Sequence, residues 1–287
     1  MEAEQTTPDS VSDNSNGFLS DAQIAEFHER GVLRVDFGFD QNMLDAIVEK
    51  VEPHYDDAYK QNPLVATRVQ DAWKWVDESR QLAVDARVRQ ALGQLMGRTA
   101  LPFQTLNFPI GTSQYAHSDT IHFNTIPEGF MAGVWVALEA IDEDNGPLIY
   151  YPGSHKLPYY SMQDLGLEPG YQNYPQYEQK IQQLIADEGF ESELGVVKKG
   201  EALIWHANLL HGGAPRKDLE RSRHSQVTHY YFEGCKYYTP MESTTKKYTF
   251  RNPFWIPETP DFELPKTGPE ASLLDRIIHK LRTRIGL

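Results

Sequence analysis

The chain has 287 residues, 40% of them apolar and 11% aromatic, with 20 Gly and 18 Pro, which is enough to bury a sizeable core as one large domain. Its 27 basic and 41 acidic side chains give a net charge of −14, and such a surface repels phosphate backbones, which sets nucleic-acid binding by bulk charge aside. The lone cysteine, Cys235, excludes an internal disulfide and a cysteine-based zinc cluster, and nowhere do the roughly 18–20 uninterrupted apolar residues of a membrane span occur.

Residues 1–17 are polar, acidic and without periodicity. They predict a disordered tail with no basic-then-apolar leader, and hence a soluble cytoplasmic protein. A single domain is expected over residues 18–287. Ser20 with Gln23 reads as a capping box for a helix that carries Ile24 and Phe27 on one face and stops at Gly31. Residues 32–35 read as a strand. Met43, Leu44, Ile47, Val48 and Val51 then repeat at helical spacing up to Pro53. A third helix is predicted from a cap at Ser79 through Leu82, Val88, Leu92 and Leu95 to Gly97.

From about residue 99 short β-rich runs follow one another between Gly and Pro, at 99–108, 114–119, 131–138, 148–151, 202–205 and 226–232. Strands at this spacing indicate an antiparallel sandwich or barrel with the helices packed outside. Residues 159–195 break that rhythm and are rich in Tyr, Gln and acidic side chains, which marks a long inserted, lid-like loop over a site. A short helix is expected over 271–284.

Two segments carry chemistry. In Gln114-Tyr115-Ala116-His117-Ser118-Asp119 an imidazole and a carboxylate stand two residues apart, so on a strand both project to one side. Alone, such a pair is common. The second segment runs from Gly200-Glu201-Ala202 along a strand to His211-Gly212-Gly213, and Arg223 and Ser225 follow in the pattern R-x-S. Two histidines and one carboxylate form the facial triad of non-haem iron, which leaves positions open for a bidentate cosubstrate and for O2. A nearby arginine offers the planar fork that pairs with a carboxylate. Together these are the parts of an Fe(II)- and 2-oxoglutarate-dependent oxygenase.

With these residues the chain resembles the phytanoyl-CoA dioxygenase family, from residue 18 to the run at 226–232. The likeness rests on Gln114 through Asp119, Trp135, Gly146-Pro147-Leu148, Pro152-Gly153-Ser154-His155, Gly200-Glu201-Ala202, His211 and Arg223. It implies a mainly β fold with flanking helices: a double-stranded β-helix, the cupin-like jelly roll. It also implies that His117, Asp119 and His211 bind Fe(II). Arg223, helped by Ser225, would hold the distal carboxylate of 2-oxoglutarate, Trp135 would line its pocket, and Gln114 would lie at its other end. The spacing from His211 to Arg223 is longer than the family commonly shows, which makes Arg221 a rival. The iron-binding acid is present, unlike in halogenating relatives. The implied activity is oxidation, by hydroxylation, of a small organic substrate, with succinate and CO2 released. The alternative is a non-catalytic or redox-neutral cupin-like binding protein, which has no need of Arg223.

Other residues have plainer readings. His206 is a strand histidine bonded to backbone, and His122 is a packed side chain or lines the substrate side. His155 belongs to a structural turn, and His229 is core or pocket wall. Trp73, Trp75 and Trp255 are accounted for by burial of aromatic area, and Cys235 by burial as a small apolar residue. Tyr171, Tyr174 and Tyr177 would belong to the lid.

Overall fold

The structure is a computed structural model that describes residues 17–56 and 67–262; the tail over 1–16 and the helix expected over 271–284 lie outside it. Ser20 caps α1 (Asp21–Arg30) through the reciprocal box with Gln23, and Gly31 ends the helix in the left-handed conformation. β1 (Val32–Asp36) follows, and Asp40 caps α2 (Gln41–Val51). The third helix is in fact two, α3 (Asp77–Ala83) and α4 (Ala86–Met96). Asp85 breaks it, because its carboxylate accepts from the backbone N–H groups of Arg87 and Val88 and so starts a new helix. Apolar spacing cannot reveal such a break, since Leu82 of the first helix and Val88, Leu92 and Leu95 of the second join the same core.

The remaining strands are β2 (Val69–Gln70), β3 (Ala100–Phe108), β4 (Asn124–Ile126), β5 (Met131–Ala137), β6 (Leu148–Tyr150) and β7 (Glu193–Gly195). After them come β8 (Glu201–His206), β9 (His211–Gly213), β10 (Ser225–Phe232) and β11 (Lys236–Tyr238). A six-stranded sheet has the order β1-β8-β5-β10-β3-β2, facing smaller sheets β7-β6-β9 and β11-β4. All pairings are antiparallel. This is the jelly roll that the sequence led us to expect.

Alternation along the central strands sorts their side chains. Val134 and Val136 of β5, Ala202 and Ile204 of β8, and Tyr230 and Phe232 of β10 join the core under α1, α2 and α4, with Phe27, Leu44, Ile47 and Leu92. Trp135, Leu203, Trp205 and Val227 point the other way, between the sheets. Both β5 and β10 are buried along their whole length, as strands covered on both faces must be.

The expected strand over 114–119 is absent. His117 makes one isolated bridge to His211, and a 3₁₀ turn, Asp119–Ile121, begins immediately after. Residues 159–195 are not one loop either: they hold α5 (Tyr174–Glu188), whose Tyr177, Ile181 and Ile185 are buried. Trp75 is 48% exposed, unlike the buried Trp73. Cys235 is half-buried and accepts a hydrogen bond from Arg98, so it is not an apolar filler.

Candidate active site

The bridge that replaces the strand brings the two motifs together. The His117 N–H donates to the His211 carbonyl at 2.9 Å, and the His211 N–H donates back at 3.0 Å, so the two side chains leave adjacent points of the backbone. The approach requires glycine next to His211: a Cβ on Gly212 would lie 2.6 Å from the Gln114 carbonyl oxygen. That glycine lets β9 pack against residues 112–116, and it also lines the cavity described below.

Each imidazole is held in one tautomer. His117 Nδ1 lies 3.1 Å from the Tyr115 carbonyl and His211 Nδ1 lies 2.9 Å from that of Leu209. A carbonyl only accepts, so both Nδ1 atoms carry the proton and both Nε2 atoms present a lone pair. Ser118 caps the 3₁₀ turn that carries Asp119. Asp119 Oδ1 stands 3.8 Å from His117 Nε2, and Oδ2 stands 3.8 Å from His211 Nε2. One ligand atom from each of the three residues lies within 4.8 Å of the others. All three are buried, at 8%, 4% and 6% exposure for His117, Asp119 and His211.

Burial alone would raise the Asp119 pKa. The imidazoles of His211, His229 and His117 and the Trp205 N–H outweigh it and hold the carboxyl at about 2. Burial, then the neighbouring His211, lowers His117 to about 3. The cluster therefore offers two imidazoles, each tied to backbone through Nδ1 and turning Nε2 toward Asp119, and one carboxylate, a donor set that suits a divalent first-row metal.

A cavity of about 310 Å³ opens onto the cluster. Gln114, Trp135 and Arg223 line it, as expected, with His117, Asp119 and His211. Ser225 enters through Arg223: the guanidinium, 2% exposed, donates from Nη1 to Ser225 Oγ at 2.8 Å and from Nε to the Gly146 carbonyl at 3.1 Å. Burial lowers its pKa to about 10, so it stays charged. Its Cζ lies 5.4 Å from the Trp135 ring, and Trp135 Nε1 is buried without a partner among the described residues. Arg221 is elsewhere: its Nη1 alone donates to both oxygens of Asp142 at 2.9 Å, and its side chain is 37% exposed. It and Arg223 precede β10 and do not share a strand face. Gln114 donates to the Tyr174 hydroxyl at 3.3 Å.

Among the other histidines, His206 accepts from the Asn208 N–H and takes no part in the cluster. His155 bonds the His28 carbonyl from its turn. His122 lines the cavity against Tyr171, with rings 5.8 Å apart. His229 also faces the cavity, with Nε2 3.8 Å from Asp119 Oδ2 and Nδ1 3.0 Å from Gln104 Oε1.

Trp205 was not singled out from the sequence, yet its indole N–H donates to Asp119 Oδ2 at 2.8 Å. Gly133 on the paired strand makes room, since a Cβ there would lie 2.3 Å from the indole. The only sequence signal was that Trp205 shares a strand face with Leu203. Arg68 and Arg251 also line the cavity, from segments with no motif.

The phytanoyl-CoA dioxygenase (PhyH) family model matches residues 15–225. The peroxisomal phytanoyl-CoA dioxygenase of Rattus norvegicus is 31% identical over 126 residues, which cover 42% of this chain and 34% of that protein. The chain thus spans about a third of the length of this curated relative. Among solved structures, the α-ketoglutarate-dependent carbocyclase SnoK of nogalamycin biosynthesis has a TM-score of 0.62 at 14% identity, over 76% of this chain and 86% of its own. EctD from S. alaskensis, crystallised with bound Fe, has a TM-score of 0.59 at 19% identity, over 76% of this chain and 79% of its own. Likeness at such identities is one of fold. The family pattern runs through most of the sequence, including both motifs of the buried cluster, and the chain belongs to the phytanoyl-CoA dioxygenase family.

Proposed function

We propose that this chain is an Fe(II)- and 2-oxoglutarate-dependent oxygenase that hydroxylates a small organic substrate. The observation that carries this reading is the buried His117–Asp119–His211 cluster sharing one cavity with the charged fork of Arg223. His117 Nε2, His211 Nε2 and an Asp119 oxygen would hold the iron. Bound there, iron supplies Lewis acidity and redox chemistry toward O2, coupling decarboxylation of 2-oxoglutarate to substrate oxidation. Arg223 would bind the distal carboxylate, since its Nη2 has no partner among the described residues while Ser225 and Gly146 fix the rest of the fork. Trp135 offers its unpaired indole N–H in the same pocket, and Gln114 borders it. Leu106, Phe108, Trp135 and Val227 border the same cavity, and apolar neighbours of this kind strengthen an ion pair by lowering the local dielectric.

A non-catalytic cupin-like protein has no use for a buried, half-satisfied arginine, so that reading is the weaker one. A cytoplasmic site of action belongs to the proposal, supported by the single cysteine. So does one domain over 18–287 whose segment 159–195 acts as a lid, supported by Tyr171 at the cavity wall. The test is succinate release from 2-oxoglutarate with added Fe(II) and ascorbate. Release that needs Fe(II) and disappears in His211→Ala is expected. No release from iron-loaded protein, even across pools of small metabolites, would refute the assignment.

A further inference from the structure

Outside the cavity most of the described arginines meet a carboxylate, Arg34, Arg98 and Arg216 being the exceptions. Arg30, Arg80, Arg87, Arg89 and Arg221 each pair with a carboxylate. The three that line the cavity, Arg68, Arg223 and Arg251, pair with none among the described residues. Asp119 is the one carboxylate on the cavity wall among the described residues. Arg251 is fixed in place: its Nη1 donates to Thr239 Oγ1 at 3.2 Å and its Cζ lies 4.7 Å from the Phe123 ring. Its Nε is sealed from solvent with no acceptor among the described residues. The contacts lead outward from the metal cluster. His229 lies against Asp119, the Phe123 ring is 5.2 Å from His229, and Arg251 sits on Phe123.

Charge decides what this end of the cavity takes. On the reading proposed above, a divalent metal, a dianionic cosubstrate, Asp119 and Arg223 cancel one another. Arg68 and Arg251 remain as an uncompensated positive pair on the wall of the same cavity. Arg68 is exposed and Arg251 only partly buried, so both stay hydrated while the site is empty, and both attract an anion that enters. From this geometry we infer that Arg68 and Arg251 form the binding site for an anionic head group of the substrate, a carboxylate or a phosphate. The substrate is then a small organic anion whose apolar body lies along Phe123 and Val227 toward the cluster.

This inference rests on the oxygenase reading for its charge balance, but its test does not. Protein loaded with Zn(II), which does not react with O2, and with 2-oxoglutarate is titrated calorimetrically with benzoate, phenyl phosphate and benzyl alcohol. At least one of the two anions should bind at least tenfold more tightly than the alcohol, and the better of them names the head group. Arg68→Gln, at an exposed position that does not threaten folding, should weaken anion binding about tenfold, as should Arg251→Gln, while 2-oxoglutarate affinity changes less than twofold. Anions that bind no better than the alcohol, or that lose affinity in Arg223→Gln but not in Arg68→Gln, would overturn the inference. If 2-oxoglutarate fails to bind yet the anions bind through Arg68 and Arg251, the oxygenase reading fails and the anion site stands.

Discussion

The two oxygens of Asp119 have different duties. Oδ2 is engaged by the Trp205 N–H at 2.8 Å, which fixes the carboxylate plane and leaves Oδ1 turned toward His117. Trp205→Phe keeps most of the buried ring but removes that donor. Loss of such a supporting hydrogen bond weakens metal binding by about 10–100-fold, and a competition titration with a chromogenic chelator measures it; unchanged affinity would show that packing alone orients Asp119. Arg223 and Arg221 make a second comparison. Removing the buried partner of a bidentate ion pair costs on the order of 3–5 kcal/mol, or at least a hundredfold in affinity. Arg223→Ala should therefore raise the apparent KM for 2-oxoglutarate by that factor or more, with Arg223→Lys recovering only part of it. Arg221→Ala should change it less than twofold, because an exposed pair such as Arg221–Asp142 contributes only about 0–1 kcal/mol. The reverse ranking would move the anchor to Arg221.

At the scale of elements, the site depends on a contact that is not a strand. β9 and residues 112–116 approach so closely that a side chain on Gly212 would meet the backbone at Gln114. Gly212→Ala should cost about 1–3 kcal/mol, read as a lowered urea midpoint together with weaker metal binding, since the bridge between His117 and His211 must open. A variant with wild-type stability would mean that residues 112–116 give way freely. This is also where the sequence was least legible. His117 and Asp119 were paired correctly but for the wrong reason, as side chains alternating on a strand, whereas Asp119 starts a 3₁₀ turn. The break at Asp85 and the helix inside 159–195 were hidden for a related reason, because capping and tertiary burial override simple periodicity. That helix also limits the lid. Tyr177 is buried, and its hydroxyl accepts from the Ser118 N–H at 3.2 Å, so α5 is anchored beside Asp119. Limited proteolysis should cut residues 159–173 and spare α5, with less cutting when metal, 2-oxoglutarate and substrate are present. Equal cutting in both states would remove the lid from the proposal.

For the whole molecule, what the sequence disclosed best was what depends on pattern: the capping box at Ser20, the strands of the large sheet, and the motif residues of the cavity. It could not disclose Arg68, Arg251 and Trp205, which the fold brings to one cavity from three distant segments and which follow no motif, whereas His229 was legible as core or pocket wall. Burial of histidines gives the metal-free protein a global acid sensitivity. The folded values of His117 and His206 are lowered to about 3, and those of His122 and His229 to about 4, from 6.5, with burial the largest cause in each. The unfolded chain therefore binds more protons; the stabilisation is complete above pH 6.5 and is lost as pH falls toward 4 and then 3. At pH 5 each such imidazole should cost about 1–2 kcal/mol relative to pH 7, so the urea midpoint should drop clearly, and a flat profile would show that these side chains open to water without cost. The most direct measurement on the site as a whole is an anaerobic calorimetric titration of the protein with Fe(II) and then 2-oxoglutarate. Wild type should bind one Fe(II) and then one 2-oxoglutarate, Asp119→Ala should lose both, and Arg223→Ala should keep the metal but lose the cosubstrate; stoichiometric Fe(II) binding by Asp119→Ala, or undiminished 2-oxoglutarate binding by Arg223→Ala, would contradict the site described.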